Sequence, residues 1–163
     1  MSNKNHIPYG IVTALVLFVY NLVMYFMKLN MERWTGWVGM LLLAVGVILA
    51  CLDFGKKNAG QTFGTIFANG FKTTAVITVL SILLTVVMLI IFPDMKEQTL
   101  EAARKQMELN KTPEDAIQKA LELTSRMYFV FAIGGILFTY MILGVIASLI
   151  GAAVAPKEQK AQG

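Results

Sequence analysis

The chain of 163 residues has one cysteine, one histidine and few charges, and each shortage removes a class of chemistry. Cys51 alone cannot form an intramolecular disulfide, and with His6 the sole histidine a Cys/His metal site is out of reach. Charged residues make up 15% of the chain, against about a quarter in a soluble domain. Those charges are also segregated: none occurs from Ile7 to Met27, Trp34 to Leu52, Thr73 to Phe92 or Met127 to Pro156. The net charge is +4, but the basic residues stand singly or in pairs at the ends of apolar runs. A nucleic-acid face needs clustered Lys and Arg with aromatics between them, so nucleic-acid binding is set aside.

What is present is length in the apolar runs. Crossing a bilayer core of about 30 Å takes roughly 20 helical residues, and each run meets that requirement. In lipid a run of this kind must satisfy its own backbone, so it is a helix even where β-branched residues crowd, as at Val76, Ile77, Thr78 and Val79. The expected fold is therefore all-α: an integral membrane four-helix bundle in one membrane domain, 1–163, with spans at about 7–27, 34–52, 73–92 and 127–154. The first run lacks a small-x-small cleavage site and is followed by Lys28 and Leu29, so it is expected to be an uncleaved anchor. Tyr9, Tyr25, Lys28, Trp34, Trp37 and Tyr128 fall at the ends of the runs, where headgroup-level aromatics and snorkelling lysines belong.

Four spans put both termini and the loop 53–72 on one side. That side holds Lys4, Lys56, Lys57, Lys72, Lys157 and Lys160, offset only by Asp53 and Glu158. The other holds Lys28, Arg33, Lys96, Arg104, Lys105, Lys111, Lys119 and Arg126, neutralised by Glu32 and the acids of the long loop. Raw basic count favours the second side as cytoplasmic and net charge the first. Net charge is followed here, which places the termini inside.

The one sizeable polar segment, 93–126, reads as an extramembrane helical hairpin (94–126) between spans 3 and 4. Asp94 with Glu97 and Thr112-Pro113-Glu114-Asp115 are helix starts, and Asn110 is a stop between them. Glu101/Lys105, Asp115/Lys119 and Glu122/Arg126 have the favourable acid-first i,i+4 order. Leu100, Ala103 and Met107, and Ile117, Leu121 and Thr124, form stripes that two short helices would bury against each other. Nothing breaks the pattern from Pro113 to Ala155, so the second helix is expected to run straight into span 4 unless Gly134-Gly135 kinks it.

Within the spans, small residues recur at Gly36, Gly39, Gly46 and Ala50, joined by Leu43, and at Gly144, Ala147, Ser148, Gly151 and Ala155. Membrane helices approach closely at such positions, so these stripes are expected to face neighbours in the bundle, with homo-oligomerisation as the sharper alternative. Thr74, Thr78, Ser81 and Thr85 line one face of span 3, where hydroxyls bond their own helix carbonyls. Asn21 is expected to reach across to that stripe. Phe63, Phe67 and Phe71 recur every fourth residue, which suggests an interfacial amphipathic entry to span 3 with Lys72 snorkelling at the surface.

The entry from Thr62-Phe63-Gly64 through Gly70-Phe71-Lys72, then Phe92-Pro93-Asp94, then an acidic-basic hairpin turning at Asn-Lys-Thr-Pro-Glu-Asp, resembles a family of short four-span bacterial proteins, domain of unknown function 4199. The resemblance covers nearly the whole chain from Tyr9-Gly10, through the order and spacing of its motifs. It implies a bacterial inner-membrane setting with cytoplasmic termini, and it carries over no catalytic residue. Such hairpins often turn at glycine, where this chain has Asn110-Lys111.

No catalytic, cofactor-binding or metal-binding constellation is apparent, and no cofactor is expected. The function expected is a non-enzymatic accessory or interaction component whose periplasmic hairpin meets a partner, with the lipid bilayer as surroundings. The alternative is a small oligomeric transporter or channel. Proton-coupled export would require a carboxylate at depth, which the four apolar runs lack. A lipid-modifying enzyme would need Cys51 or a serine activated by a base such as His6, and nothing in the spacing recommends it.

Overall fold

A computed structural model describes residues 5–58 and 60–156; Lys4, Lys157, Glu158 and Lys160, counted above, lie outside them. Among the described residues there are six helices and no strand: α1 (His6–Phe26), α2 (Arg33–Lys57), α3 (Phe63–Ile91), α4 (Asp94–Leu109), α5 (Glu114–Arg126) and α6 (Tyr128–Val154). Four of them, α1, α2, α3 and α6, are long and apolar enough to cross a membrane. The other two form the polar hairpin.

The four long helices stand in a ring in the order α1, α2, α6, α3. Chain direction makes α1 and α3 parallel neighbours, and likewise α2 and α6. The short diagonal joins α2 to α3, whereas α1 and α6 scarcely touch. The core of this ring is Ala14, Leu17, Leu43, Val47, Ile77 and Ala147, each essentially inaccessible.

Two helices overrun their expected spans. Polar residues ended the apolar run at Leu52, but polarity does not end a helix: α2 continues through Asp53, which pairs with Lys57 one turn on at 3.0 Å. The loop expected over 53–72 therefore shrinks to the short connection between Lys57 and Phe63, where Gly60 takes φ 81°. Thr62 then caps α3, its hydroxyl accepting from the Thr65 amide at 3.3 Å. The Phe63–Lys72 entry is thus no separate interfacial helix. It is the first third of α3, and Ile66, Asn69 and Gly70 on its other face are buried in the bundle. At 1.5 Å per residue α3 is roughly 43 Å long, so it projects beyond a 30 Å core or tilts within it.

The junction after the hairpin also differs from expectation. The helix breaks at Met127 (φ −106°, ψ 22°), and Gly134-Gly135 lie in unbroken α6. The break is a kink rather than a loop, because the Met127 amide still donates to Leu123 and the Phe131 amide to Met127. At the hairpin tip the left-handed residue is Lys111 (φ 56°), not Asn110 (φ −80°). Lys111 and Thr112 amides donate back to Glu108 and Met107, closing a Schellman turn with lysine where glycine is usual. Lys28 ends α1 in the same way, at φ 58°.

Candidate functional site: a packed end and an open end

At the end of the bundle that carries the chain termini, helices meet through small residues and crossed hydrogen bonds. A methyl group at Gly70 would fall 2.5 Å from Cys51 Sγ and 2.8 Å from Ser148 Oγ, and one at Gly144 would collide with Thr74. Gly144, Ala147, Ser148, Gly151 and Ala155 are all buried, so the α6 stripe is used inside the bundle as expected. The α2 stripe is only half used: Leu43, Gly46 and Ala50 are buried, while Gly36 has no neighbour near it.

Three polar side chains at this end satisfy one another across the helices, whereas the fully buried Ser148 hydroxyl beside Gly70 has no partner. Asn5 precedes α1 without capping it; its amide instead donates to Ala50 O (3.0 Å) and Asp53 Oδ2 (2.8 Å). Asn69 on α3 donates to Asn5 Oδ1 (2.8 Å) and, more weakly, to Ala50 O (3.4 Å). Asp53 is thereby a carboxylate inside a helix rather than in a loop, held by Asn5 and Lys57. None of the expectations drawn from sequence included this cluster. Its only signal was polar residues at 5, 53 and 69 flanking apolar runs, and nothing in the spacing says that they meet.

Beside the cluster, His6, Phe54, Thr65, Asn69 and Lys72 line a cleft of about 390 Å³. Cys51 is not among them: it is fully buried and donates to Ile66 O at 3.7 Å, so His6 is not its hydrogen-bond partner. Among the described residues no three His, Cys, Asp or Glu side chains gather as a metal site would require.

At the hairpin end the ring is open between α1 and α6. One cavity of about 240 Å³ lies among α1, α3 and α6 and is lined by Leu17, Asn21, Ser81, Thr85, Met88 and Tyr140. A second of about 470 Å³ lies among α1, α2 and α6 and reaches Asn30, Arg33, Gly36, Gly39 and Thr139. Asn21, Ile136 and Tyr140 line both, so the two adjoin across the bundle axis. The floor is the apolar core already described.

The side chains expected to tie α1 to α3 do not do so. Asn21 donates to Leu17 O of its own helix at 2.7 Å rather than crossing to the hydroxyl stripe. Thr74 and Thr78 bond Gly70 O and Thr74 O at 3.1 and 2.8 Å, the self-contained arrangement expected of them. Ser81 breaks that pattern: it is 8% exposed and its hydroxyl has no hydrogen-bond partner. The Tyr140 hydroxyl stands close to it without hydrogen-bond geometry.

The hairpin closes on itself over Ile117, its one fully buried side chain, with Leu100, Ala103, Met107 and Leu121 half-buried alongside. Glu101–Lys105 (2.8 Å) and Glu122–Arg126 (3.2 Å) form as expected; Asp115 and Lys119 do not pair within 4 Å. Arg104 supplies the unanticipated link, holding Glu108 of its own helix and Glu114 of the next at 2.8 and 2.9 Å. Neither helix start carries a side-chain cap, so the first-turn acids act on the helix dipole. Asp94 is committed elsewhere. It accepts from the Tyr25 hydroxyl at 2.7 Å and from Gln98 at 2.9 Å, and Gln98 in turn accepts from Asn30. The hairpin is thereby fastened to the mouth of the open end. Lys105 draws the Glu101 carboxyl below its usual range, and Glu108 and Glu114 raise the Arg104 guanidinium.

The fold and this site define an all-helical protein with four helices built to cross a membrane, packed at one end and split at the other beneath a polar hairpin. Residues 8–157 match the family model described as protein of unknown function (DUF4199), and the chain belongs to that family. No curated protein and no solved structure matches it.

Proposed function

We propose that this is a non-enzymatic accessory or interaction component of a bacterial inner membrane, with its termini in the cytoplasm and its hairpin in the periplasm meeting a protein partner. The observation that supports this is an ordered hairpin that leaves apolar side chains uncovered. Leu109 at its tip is 78% exposed and Leu123 is 53% exposed, although Ile117 shows that the hairpin can bury apolar groups. Ion pairs and the Asp94–Tyr25 tie fix the presenting surface, which lowers the ordering cost of docking. Leu109→Glu and Leu123→Glu, introduced together, leave the internal stripe intact and remove the two uncovered apolar side chains, one at the tip and one at the membrane-proximal end of the hairpin. Specific partners recovered in mild detergent with the native chain are expected to be lost with that variant. Equal recovery by both, or recovery of nothing by either, would defeat the reading.

A small oligomeric transporter or channel is the second reading, favoured by the cleft at the hairpin end. The cleft ends at Leu17, Leu43, Val47, Ile77 and Ala147, so conduction requires that core to part. Solute flux into proteoliposomes, absent from liposomes without protein, would move this reading ahead of the first. Self-association would use faces other than the α6 stripe, which is spent within the bundle, and other than Gly36 and Gly135, which line the second cavity.

A further inference from the structure

Going beyond partner binding, we propose that the hairpin-end cleft is a binding site for a neutral, lipid-soluble molecule that carries carbonyl oxygens on an apolar body, a quinone being the type. The site rests on depth, polarity and an unmet hydrogen bond. Ser81 lies ten residues from the end of α3 and Tyr140 twelve from the start of α6, roughly 15–18 Å from the hairpin-side ends. Both therefore sit near mid-membrane. Water is scarce there, and an unsatisfied polar group costs several kcal/mol. Yet the Ser81 hydroxyl is buried without a partner and, unlike the equally unpartnered Ser148, belongs to a residue that lines a cavity, into which a turn about its Cα–Cβ bond would bring it. Thr85, Asn21 and Tyr140 line that cavity too, around apolar walls from Leu17, Met88 and Ile136. A few converging polar groups in an apolar pocket are the usual make-up of a small-molecule site.

The chemistry of the lining selects the occupant. Ser, Thr, Tyr hydroxyls and the Asn amide can all donate, so the matching group is an acceptor. No cation lines the 240 Å³ inner cavity, and a charge at mid-membrane is costly, so the acceptor is neutral. Phospholipid phosphates stay at the headgroup level, near Arg33 and Asn30 at the mouth, and do not reach Ser81. A carbonyl borne on a hydrophobic body does. Tyr140 and Ser81, one on each side of the α3/α6 contact, would each donate one bond to it.

The test uses the full chain in neutral phosphatidylcholine nanodiscs, with a decyl-substituted benzoquinone as probe and decylbenzene as its carbonyl-free match. The quinone is expected to raise the unfolding midpoint saturably and decylbenzene to leave it unchanged. Ser81→Ala and Tyr140→Phe, which delete single hydroxyls, are each expected to weaken the apparent quinone affinity about five- to tenfold. If a variant is unstable without ligand, the comparison of the two probes on the native chain decides. Equal stabilisation by both probes would reduce the cleft to an apolar gap and overturn the proposal. So would quinone affinity indifferent to both hydroxyls, or hydroxyl-dependent stabilisation by phosphatidylglycerol in place of the quinone. Leu109→Glu with Leu123→Glu should not alter quinone binding, so failure here and failure of the hairpin reading are separable.

Discussion

The terminus end and the hairpin end of the same four helices solve the problem of polar groups in lipid in opposite ways. At the terminus end Asn5, Asp53 and Asn69 converge on one another and on Ala50 O, glycines at 70, 144 and 151 bring the backbones close, and the one unpartnered hydroxyl, Ser148, is sealed in packing with no space beside it. At the hairpin end Asn21 turns back on its own helix, Ser81 has no partner, and Gly36, Gly134 and Gly135 have nothing against them. Small residues allow close approach but do not compel it. What differs is the neighbour: Gly144 faces Thr74 and Gly70 faces Ser148, whereas the outer glycines face space. One end is built for stability, and the other keeps room.

The largest expected effect breaks the packed end. Gly144→Leu must displace Thr74 and is expected to destabilise by about 3 kcal/mol or more, whereas Gly135→Leu, with open space around it, should cost less than about 1 kcal/mol. Thermal unfolding in detergent measures both, and equal losses would erase the distinction between the ends. Next is the contrast between two asparagines. Asn69→Leu strands the Asn5 carbonyl oxygen and should cost about 1–3 kcal/mol, while Asn21→Leu, losing a bond only to its own helix, should stay within about 0.5 kcal/mol. A large loss from Asn21→Leu would mean that the open end is in fact tied.

Smaller effects concern the hairpin over the open end. Lys111 holds a left-handed conformation that costs a non-glycine residue about 1 kcal/mol, so Lys111→Gly is expected to slow amide exchange across α4 and α5 by a few-fold. Smallest is the pH response. Glu101 is held below its usual pKa of 4.5, first by its hydrogen bond to Lys105 and then by that charge. A lowered carboxyl contributes stability that is present above 4.5 and is lost as pH falls through the folded value. Hairpin helicity should therefore decline slightly below pH 4.5, and less so in high salt because the pair is fully exposed. Circular dichroism of the native chain against Lys105→Ala would show it, and an identical acid profile for both would refute it.

Much of this architecture was legible in the residues. Charge-free runs of about 20 residues locate four helices because lipid leaves the backbone no other way to satisfy itself. Acid-first pairs and paired start signals located the hairpin to within a residue or two. The ends of α2 and α3 were not legible, since a run of apolar residues reports what lipid accepts and not where helical hydrogen bonding stops. By hydropathy Asp53 therefore reads as a loop residue, although it lies one turn before the end of α2. The turn at Lys111 was also hidden, because asparagine is the commoner left-handed residue and it stood next door.

The sequence by itself determined the number of long helices, their apolar character and the polar excursion between the third and fourth, because these follow from local composition and the demands of a water-free solvent. Tertiary structure alone decided which small residues meet, why Asn69 crosses to Asn5 while Asn21 does not, and where a cleft remains. Those outcomes depend on helix rotation and on the α2–α3 diagonal. A rotation of a few tens of degrees would exchange a buried face for an open one without changing any residue's hydropathy.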